Sequence, residues 1–392
     1  MERYRYLIIG GGMTADSAVR GIRQADSDGE IGLISAESHP PYNRPPLSKD
    51  LWKEMKEERI WRHTEEQGVT LHLSRQATEI DPDEKRVTDN TGKEYRYERL
   101  LLATGGSPVT LDNAPEGIVY FRDYDDYRNL RNLTEHRDKF LVIGGGFIGS
   151  EIAAALSMNG KSVTMLFPEA GIGGRIFPEA MAQYLNGYYE EQGVRVHPNE
   201  LVQEVSRDGK RFGIRTDSGN VFRGEEIIAG LGIRPNTALA RQAGLRVDDG
   251  IVVDSRLHTS AEDIYAAGDV ASFYNESLDR YLRVEHEENA NIQGMLAGVN
   301  MAGGDREYNH LPFFYSDLFD HGYEAVGRTT SNLQIIEDWE DLHQKGVLYY
   351  VEDERVQGVV LWNVWGQVDN ARKVLSEGTE IEKDSLKGRL PQ

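Results

Sequence analysis

The chain has 392 residues, 44 Lys and Arg against 65 Asp and Glu for a formal net charge of −21, and no cysteine. At roughly 150 residues per domain the length predicts two or three domains, and 39% hydrophobic with 28% charged residues suits globular cores rather than disorder. The absence of cysteine excludes disulfide scaffolds, Cys-ligated zinc, iron-sulfur clusters and thiol-based catalytic cycles.

No apolar run approaches the ~20 residues of a membrane-spanning helix, and Met1 to Tyr6 alternates charge instead of forming a signal peptide. The acidity works against nucleic acid or anionic membrane as partners. A cytoplasmic protein is therefore expected, with no membrane span, no nucleic-acid partner and no metal site.

In chain order, the first feature is an apolar run, Tyr6-Leu7-Ile8-Ile9, that meets Gly10-Gly11-Gly12-Met13-Thr14-Ala15. A helical stretch of small residues follows over Asp16 to Gln24, then a second apolar strand over Ile31 to Ser35. The polar region Asp81 to Tyr97 reads as turn-rich, and Leu100 to Leu102 leads into Ala103-Thr104-Gly105-Gly106. The opening pattern then repeats: Phe140-Leu141-Val142-Ile143 meets Gly144-Gly145-Gly146-Phe147-Ile148-Gly149, followed by a helix over Glu151 to Met158 and a strand over Ser162 to Phe167. Two βαβ units are predicted.

A strand-to-glycine step closes the second unit at Ile227 to Gly232, and short strands from Ile251 end in Ala266-Ala267-Gly268-Asp269. The last ~85 residues change to strand alternation. There Gly346 to Val351 and Arg355 to Leu361 flank the turn Glu352-Asp353-Glu354, and Val368 to Leu375 reads as a closing helix.

A Gly-x-Gly-x-x-Gly turn binds pyrophosphate because glycine permits the tight backbone, lets the phosphates approach the main chain, and leaves helix N–H groups directed at them. The first copy offers Gly10, Gly12 and Ala15 with Glu37 as the ribose acid; the second offers Gly144, Gly146 and Gly149, with Glu169 or, since Pro168 intervenes, no acid at all. Two such turns imply two dinucleotides, most economically a resident flavin beside a nicotinamide that comes and goes. Between them, Pro40-Pro41-Tyr42-Asn43-Arg44-Pro45-Pro46-Leu47-Ser48-Lys49 is stiffened by four prolines. It either aims Arg44 and Lys49 at phosphate and flavin or is a rigid surface loop with solvated cations.

The order of glycine turn, Pro-Tyr-x-Arg-Pro-Pro-Leu-Ser-Lys, Ala-Thr-Gly-Gly, second glycine turn and Ala-Ala-Gly-Asp resembles the FAD-dependent pyridine nucleotide oxidoreductases of the ferredoxin reductase branch. Resemblance is densest to the apoptosis-inducing-factor group, through Val142 to Glu151, Leu166 to Glu169, Arg283 to His286, Tyr315 to Leu318, Gly322 to Gly327 and Val360 to Asn363. It implies an α/β fold with two Rossmann-like, glutathione-reductase-like nucleotide domains plus a C-terminal α+β domain. The implied boundaries are 1–117 with 235–305 for FAD, 118–234 for NAD(P)H, and 306–392 for the C-terminal domain. Long N-terminal targeting and C-terminal insertion segments of the mitochondrial members have no counterpart, so a bacterial-type homologue is expected.

The resemblance also assigns residues. Gly12, Thr14, Ala15 and Glu37 would serve the ADP half of FAD, with Gly10, Met13 and Ala77 also cofactor-binding; Arg44, Lys49, Thr104, Gly105 and Arg122 its pyrophosphate and ring side; Asp269 its ribityl chain. Gly144, Gly146, Phe147, Ile148, Gly149, Glu169 and Gly232 would bind the nicotinamide dinucleotide, with Arg175 at its adenosine end. Lys49 and Glu151 would pair beside the flavin ring, and Glu285 with His286 would open a helix aimed at the flavin pyrimidine edge. Spacing alone reads His286 as a surface helix cap among Glu285, Glu287 and Glu288, and Tyr315 as a strand aromatic; the resemblance makes Tyr315 a wall of the flavin site, where relatives usually place tryptophan.

The expected activity is hydride transfer from NADH to FAD and onward to an unidentified acceptor without a redox-active cysteine, Lys49, Glu151, His286 and Tyr315 being the catalytic candidates. Glu169 favours NADH because a carboxylate repels a 2′-phosphate. Two other readings stand beside it: a ferredoxin or rubredoxin reductase serving an electron-transfer chain, and a redox-responsive NADH sensor acting through a homodimer or partner surface. A small redox protein or a quinone is the expected class of acceptor.

Overall fold

The structure is a computed structural model that describes residues 1–377 and 385–391. It divides into two compact units, each assembled from three segments of chain.

The first unit comprises Met1–Arg44, Glu57–Ser107 and Arg234–Pro312. Its sheet is built on Glu2–Ile9, whose residues Leu7 and Ile8 are fully buried. Burial on both faces is what selects a continuous apolar strand rather than an alternating one. Parallel neighbours lie on either side, Ile31–Ile34 and Glu94–Leu102, so that Ile9 stands level with both Ile34 and Leu102. Val69–His72 extends one edge. At the other, Glu94–Leu102 pairs through its first half with Arg86–Asp89 and through its last three residues with Ile264–Ala266.

The region Asp81 to Tyr97 is thus not merely turns. It holds the Arg86–Asp89 strand and the start of Glu94–Leu102, with Ala77–Asp81 paired beyond. Val87, Tyr95 and Tyr97 are buried while their neighbours carry charge; half-buried strands of this kind read as polar in composition.

The helix Met13–Ala25 runs from the glycine turn and packs against Glu287–Met301. Backbones touch there: a Cβ on Gly294 would lie 2.3 Å from the Thr14 carbonyl, and one on Gly298 2.0 Å from that of Ala18. Asp16, buried in this helix, accepts from Arg62 Nε at 2.7 Å, Arg20 Nε at 2.8 Å and Thr64 Oγ1 at 2.7 Å, tying the returning segment to the helix.

The second unit comprises Pro45–Lys56, Pro108–Ile233 and Phe313–Gln392. A four-stranded parallel sheet, in the order Arg195–His197, Ser162–Leu166, Lys139–Ile143, Glu226–Ala229, carries the second βαβ repeat. Both predicted βαβ units are present, and in each the helix starts earlier than its apolar pattern suggests, at Met13 and at Phe147, because the glycine turn itself forms the cap.

The C-terminal part is an antiparallel sheet of five strands, ordered Phe313–Leu318, His321–Gly327, Arg355–Trp362, Lys345–Glu352, Gln334–Asp341, with the helix Val368–Ser376 against it. The predicted hairpin has a two-residue turn: Glu352 pairs with Arg355, and Asp353 and Glu354 both take left-handed φ, 49° and 59°, the geometry that matches strand twist.

The compact units group the chain differently from the predicted domains: 45–56 and 108–117 lie in the second unit, together with 118–233 and 313–392. The 45–56 segment is anchored by Trp52, which is buried, donates Nε1–H to the Leu47 carbonyl at 2.7 Å, and meets Tyr127 edge-on at 5.9 Å.

Candidate functional site

In the first unit the glycine turn joins strand to helix at positions that restrict side chains differently. Gly10 has φ +124°, and a Cβ there would collide with the Ala103 carbonyl at 2.0 Å. Gly12 caps the helix without a side-chain acceptor, and its nearest neighbour would be the Arg44 guanidinium at 4.0 Å. The first helical N–H groups therefore face an open cradle of partial positive charge. Met13, Thr14 and Ala15 are buried behind it.

Glu37 accepts a hydrogen bond from the Tyr42 hydroxyl at 2.6 Å and is ion-paired with Arg44, whose guanidinium lies 5.1 Å from the Tyr42 ring centroid. Arg44 is thus held by the acid rather than left to reach phosphate alone. Burial works against its charge, but Glu37 and Asp269 outweigh it and drive its pKa up.

Thr104 exchanges two hydrogen bonds with Asn236, each at 2.9 Å, and the Gly105 carbonyl accepts from Asn236 N–H at 2.9 Å. Ala77 is buried at the start of the Ala77–Asp81 strand. Asp269 lies in the turn Gly268–Val270, where Gly268 N–H donates to Gln293 Oε1 at 2.9 Å. Two buried donors on the Glu287–Met301 helix, Gln293 Nε2 and Asn289 Nδ2, find no acceptor among the described residues. Orphaned buried donors beside a glycine cradle suit a large polar ligand.

His286 caps that same helix, preceded by Glu285. Burial pushes its pKa down to about 4, against the opposing pull of Asp269 and Glu288, so the ring is neutral at pH 7.

In the second unit, Gly144 has φ +112°, and a Cβ on Gly149 would strike the Gly144 carbonyl at 2.0 Å. Gly146 is different: nothing lies within 4 Å of where its Cβ would stand. Phe147 opens the helix 37% exposed, edge-on to Phe314 at 5.2 Å, with Ile148 half-buried after it. Gly232, at φ +86°, also borders open space. Glu169 follows the Ser162–Leu166 strand after Phe167 and Pro168, and accepts from Arg175 Nε at 2.6 Å; Arg175 is 81% exposed.

The same unit buries a charged cluster. Lys49 Nζ lies 2.8 Å from Glu151 Oε1, the two side chains being 9% and 2% exposed. Ser316 Oγ donates to the same oxygen at 2.7 Å and Ser48 Oγ to Oε2 at 2.6 Å, while Lys49 stands 5.3 Å from the Tyr315 ring centroid. Arg122 is half-buried, its N–H donating at 2.8 Å to Asp126, which closes the capping box of the Tyr124–His136 helix.

The structure therefore brings Lys49, Glu151 and Tyr315 together, and gathers Glu37, Arg44 and Asp269 in the other unit. Sequence reasoning missed Ser48, Ser316, Tyr42 and Gln293. The two serines stood inside motifs already singled out, next to Lys49 and Tyr315, but a serine hydroxyl carries no spacing signal of its own.

These two glycine turns lie in a chain whose residues 4–294 match the family model described as pyridine nucleotide-disulphide oxidoreductase. The chain belongs to that family. Residues 336–377 match the model described as apoptosis-inducing factor, mitochondrion-associated, C-term. The chain is 33% identical to the mitochondrial apoptosis-inducing factor 1 of Dictyostelium discoideum, over 97% of this chain and 80% of that protein. It is 32% identical to the 3-phenylpropionate/cinnamic acid dioxygenase ferredoxin–NAD(+) reductase component of Photorhabdus laumondii, over 97% and 98%. Among solved structures it resembles the covalent putidaredoxin reductase–putidaredoxin complex, with a TM-score of 0.90, 27% identity, and coverage of 98% of this chain and 95% of that one.

It is thus an FAD-dependent NADH oxidoreductase of the ferredoxin reductase branch, resembling apoptosis-inducing factor. With no cysteine in the chain, the disulphide of the family's name has no counterpart here. Among the described residues no helix is long and apolar enough to cross a membrane, and no group of three His, Asp or Glu is placed to hold a metal ion.

Proposed function

We propose that this chain prefers NADH and delivers its electrons to its acceptor without a redox-active cysteine of its own, Lys49 and Glu151 acting as the charged pair beside the flavin ring. FAD, when bound, supplies the capacity to take up two electrons as hydride and release them one at a time. The residues 1–117 with 235–305 are assigned to FAD, 118–234 to the coenzyme, and 306–392 to the C-terminal domain. Gly10, Gly12, Met13, Thr14, Ala15 and Ala77 would hold the ADP half, Glu37 its ribose, and Thr104, Gly105, Arg122 and Asp269 the remainder. The open cradle at Gly12 and the buried amide nitrogens of Asn289 and Gln293, which find no acceptor among the described residues, support this.

The observation that carries the reading is the buried Lys49–Glu151 pair with its two serine donors. A buried ion pair is an expensive way to stabilise a fold, because desolvation consumes most of the Coulombic gain. Holding a protonated ammonium at a fixed place is a chemical use for it. His286, neutral at the start of its helix, leaves the positive helix end to favour anionic charge at the pyrimidine edge. Tyr315 serves as an aromatic wall.

For the coenzyme, Gly144, Gly146 and Gly149 would take the pyrophosphate, Phe147, Ile148 and Gly232 line it, and Glu169 accept the ribose hydroxyls. Arg175, paired with Glu169, tempers the rejection of a 2′-phosphate without removing it.

Adding NADH anaerobically to the purified protein tests the reading. A visible band near ~450 nm should bleach; protein that is colourless and cannot be reconstituted with FAD refutes it. Turnover should be faster with NADH than NADPH, and a large NADPH advantage refutes the role of Glu169.

One observation favours a ferredoxin-type acceptor as the second reading: alignment with the Photorhabdus reductase component runs end to end, 97% of this chain against 98% of that protein. Cytochrome c reduction that becomes rapid only when a ferredoxin is added would support it.

A further inference from the structure

The loop from Phe167 to Pro178 carries both residues assigned to the adenosine end of the coenzyme, Glu169 and Arg175, yet it also contains Gly171, Gly173 and Gly174. Three glycines in so short a stretch leave many backbone states open. Part of its order comes from the nucleotide-binding fold itself. Gly173 N–H donates to the Gly145 carbonyl at 2.8 Å, tying the loop to the glycine turn, and Asn199 N–H donates to the Glu169 carbonyl at 3.0 Å.

Turn hydrogen bonds within the loop and Asn186, whose side chain accepts from Ile172 N–H at 3.0 Å and donates to the Ala170 carbonyl at 3.1 Å, add to this, and the C-terminal sheet holds the remaining stretch 174–176. Ser331 lies between the His321–Gly327 and Gln334–Asp341 strands; its hydroxyl donates to the Gly174 carbonyl at 2.8 Å and its N–H to the Arg175 carbonyl at 2.9 Å. Tyr350, buried on the Lys345–Glu352 strand, donates its hydroxyl to the Ile176 carbonyl at 3.0 Å. Three consecutive carbonyls of the loop are thus held by two residues far away in sequence. Such a grip specifies backbone position without touching the side chain of Glu169 or Arg175, and it lowers the ordering cost that a flexible loop would otherwise impose on binding.

We propose that Ser331 and Tyr350 are positioning residues for the coenzyme: through the carbonyls of 174–176 the C-terminal sheet pre-orders the loop that receives the adenosine ribose. This rests on the assignment of Glu169 and Arg175 to that ribose. It also makes the C-terminal sheet a lever on coenzyme affinity, since whatever shifts Ser331 changes the loop.

The test uses the flavin-loaded protein with Ser331→Ala, Tyr350→Phe and the hydroxyl-retaining Ser331→Thr. Losing one neutral hydrogen bond should raise KM for NADH about three- to tenfold at unchanged kcat. The KM for reduced nicotinamide mononucleotide, which lacks the adenosine, should not move, and Ser331→Thr should restore the NADH value. Amide hydrogen exchange over 170–176, measured without coenzyme, should be faster in Ser331→Ala and Tyr350→Phe. An unchanged NADH KM with unchanged exchange overturns the proposal, as does an equal rise in KM for the mononucleotide. Glu169→Gln separates the layers. If its NADH KM stays at the wild-type value, the ribose assignment falls and takes the buttress with it; if it rises while Ser331→Ala and Tyr350→Phe behave as wild type, the buttress alone is overturned.

Discussion

Lys49 and Glu151 meet at 2.8 Å with less than a tenth of either side chain open to solvent. The acid comes from a helix of the second βαβ unit and the ammonium from a short proline-rich segment pinned by Trp52. Because both are buried, neither can be replaced without leaving the other's charge desolvated and uncompensated.

Lys49→Met and Glu151→Leu should each destabilise the protein by about 3–5 kcal/mol, whereas the two combined should recover much of that stability. Denaturant midpoints of the two singles and the double close the cycle. If the double is as unstable as the singles together, the pair is not the unit it is taken to be. The stabilised double should nevertheless lose NADH-dependent turnover, since the role assigned to the pair is electrostatic rather than structural.

The two glycines of the coenzyme turn make opposite predictions. Gly149→Ala places a methyl 2.0 Å from the Gly144 carbonyl and should misfold or lose several kcal/mol. Gly146→Ala meets nothing within 4 Å and stands at φ −84°, which alanine adopts freely. It should melt within about 1 kcal/mol of wild type while raising KM for NADH, because the methyl occupies the space through which pyrophosphate approaches the main chain. A normal KM in Gly146→Ala would mean that the coenzyme binds elsewhere.

His286 carries a pH signature. Its folded pKa of about 4 lies below the roughly 6.5 of an unfolded histidine, so between those values the unfolded chain binds the extra proton. Stability should therefore be full above pH ~6.5 and decline as pH falls toward ~4. Following the His286 ring signal by NMR should give a midpoint near 4, and His286→Asn should flatten that part of the stability–pH curve. A midpoint near 6.5 would show that the ring is not desolvated.

Glu169 and Arg175 separate affinity from stability. Arg175 is 81% exposed, so Arg175→Ala should change the melting free energy by no more than about 0.5 kcal/mol. Coenzyme choice should respond more strongly. Glu169→Gln removes the charge that repels a 2′-phosphate and should shift the NADH-to-NADPH ratio of kcat/KM about tenfold toward NADPH, while Arg175→Ala should shift it toward NADH. Initial rates with both coenzymes measure each ratio; movement of both variants in the same direction would contradict the assignment.

Much of this was legible in the sequence wherever a local rule forces a residue type. The two glycine turns, their buried parallel strands and the closing hairpin each follow from a backbone or periodicity constraint that neighbouring residues must satisfy. The missing cysteine likewise decided, before any fold, that no thiol of this chain relays the electrons. What tertiary structure alone decided is which distant groups share a desolvated space: Ser48 and Ser316 on Glu151, Arg44 on Glu37, the segment 45–56 within the second unit, and the hold of Ser331 on carbonyls of the ribose loop. Hydroxyl and carbonyl partners have no period and no spacing, so only the folded chain can bring them within hydrogen-bonding reach.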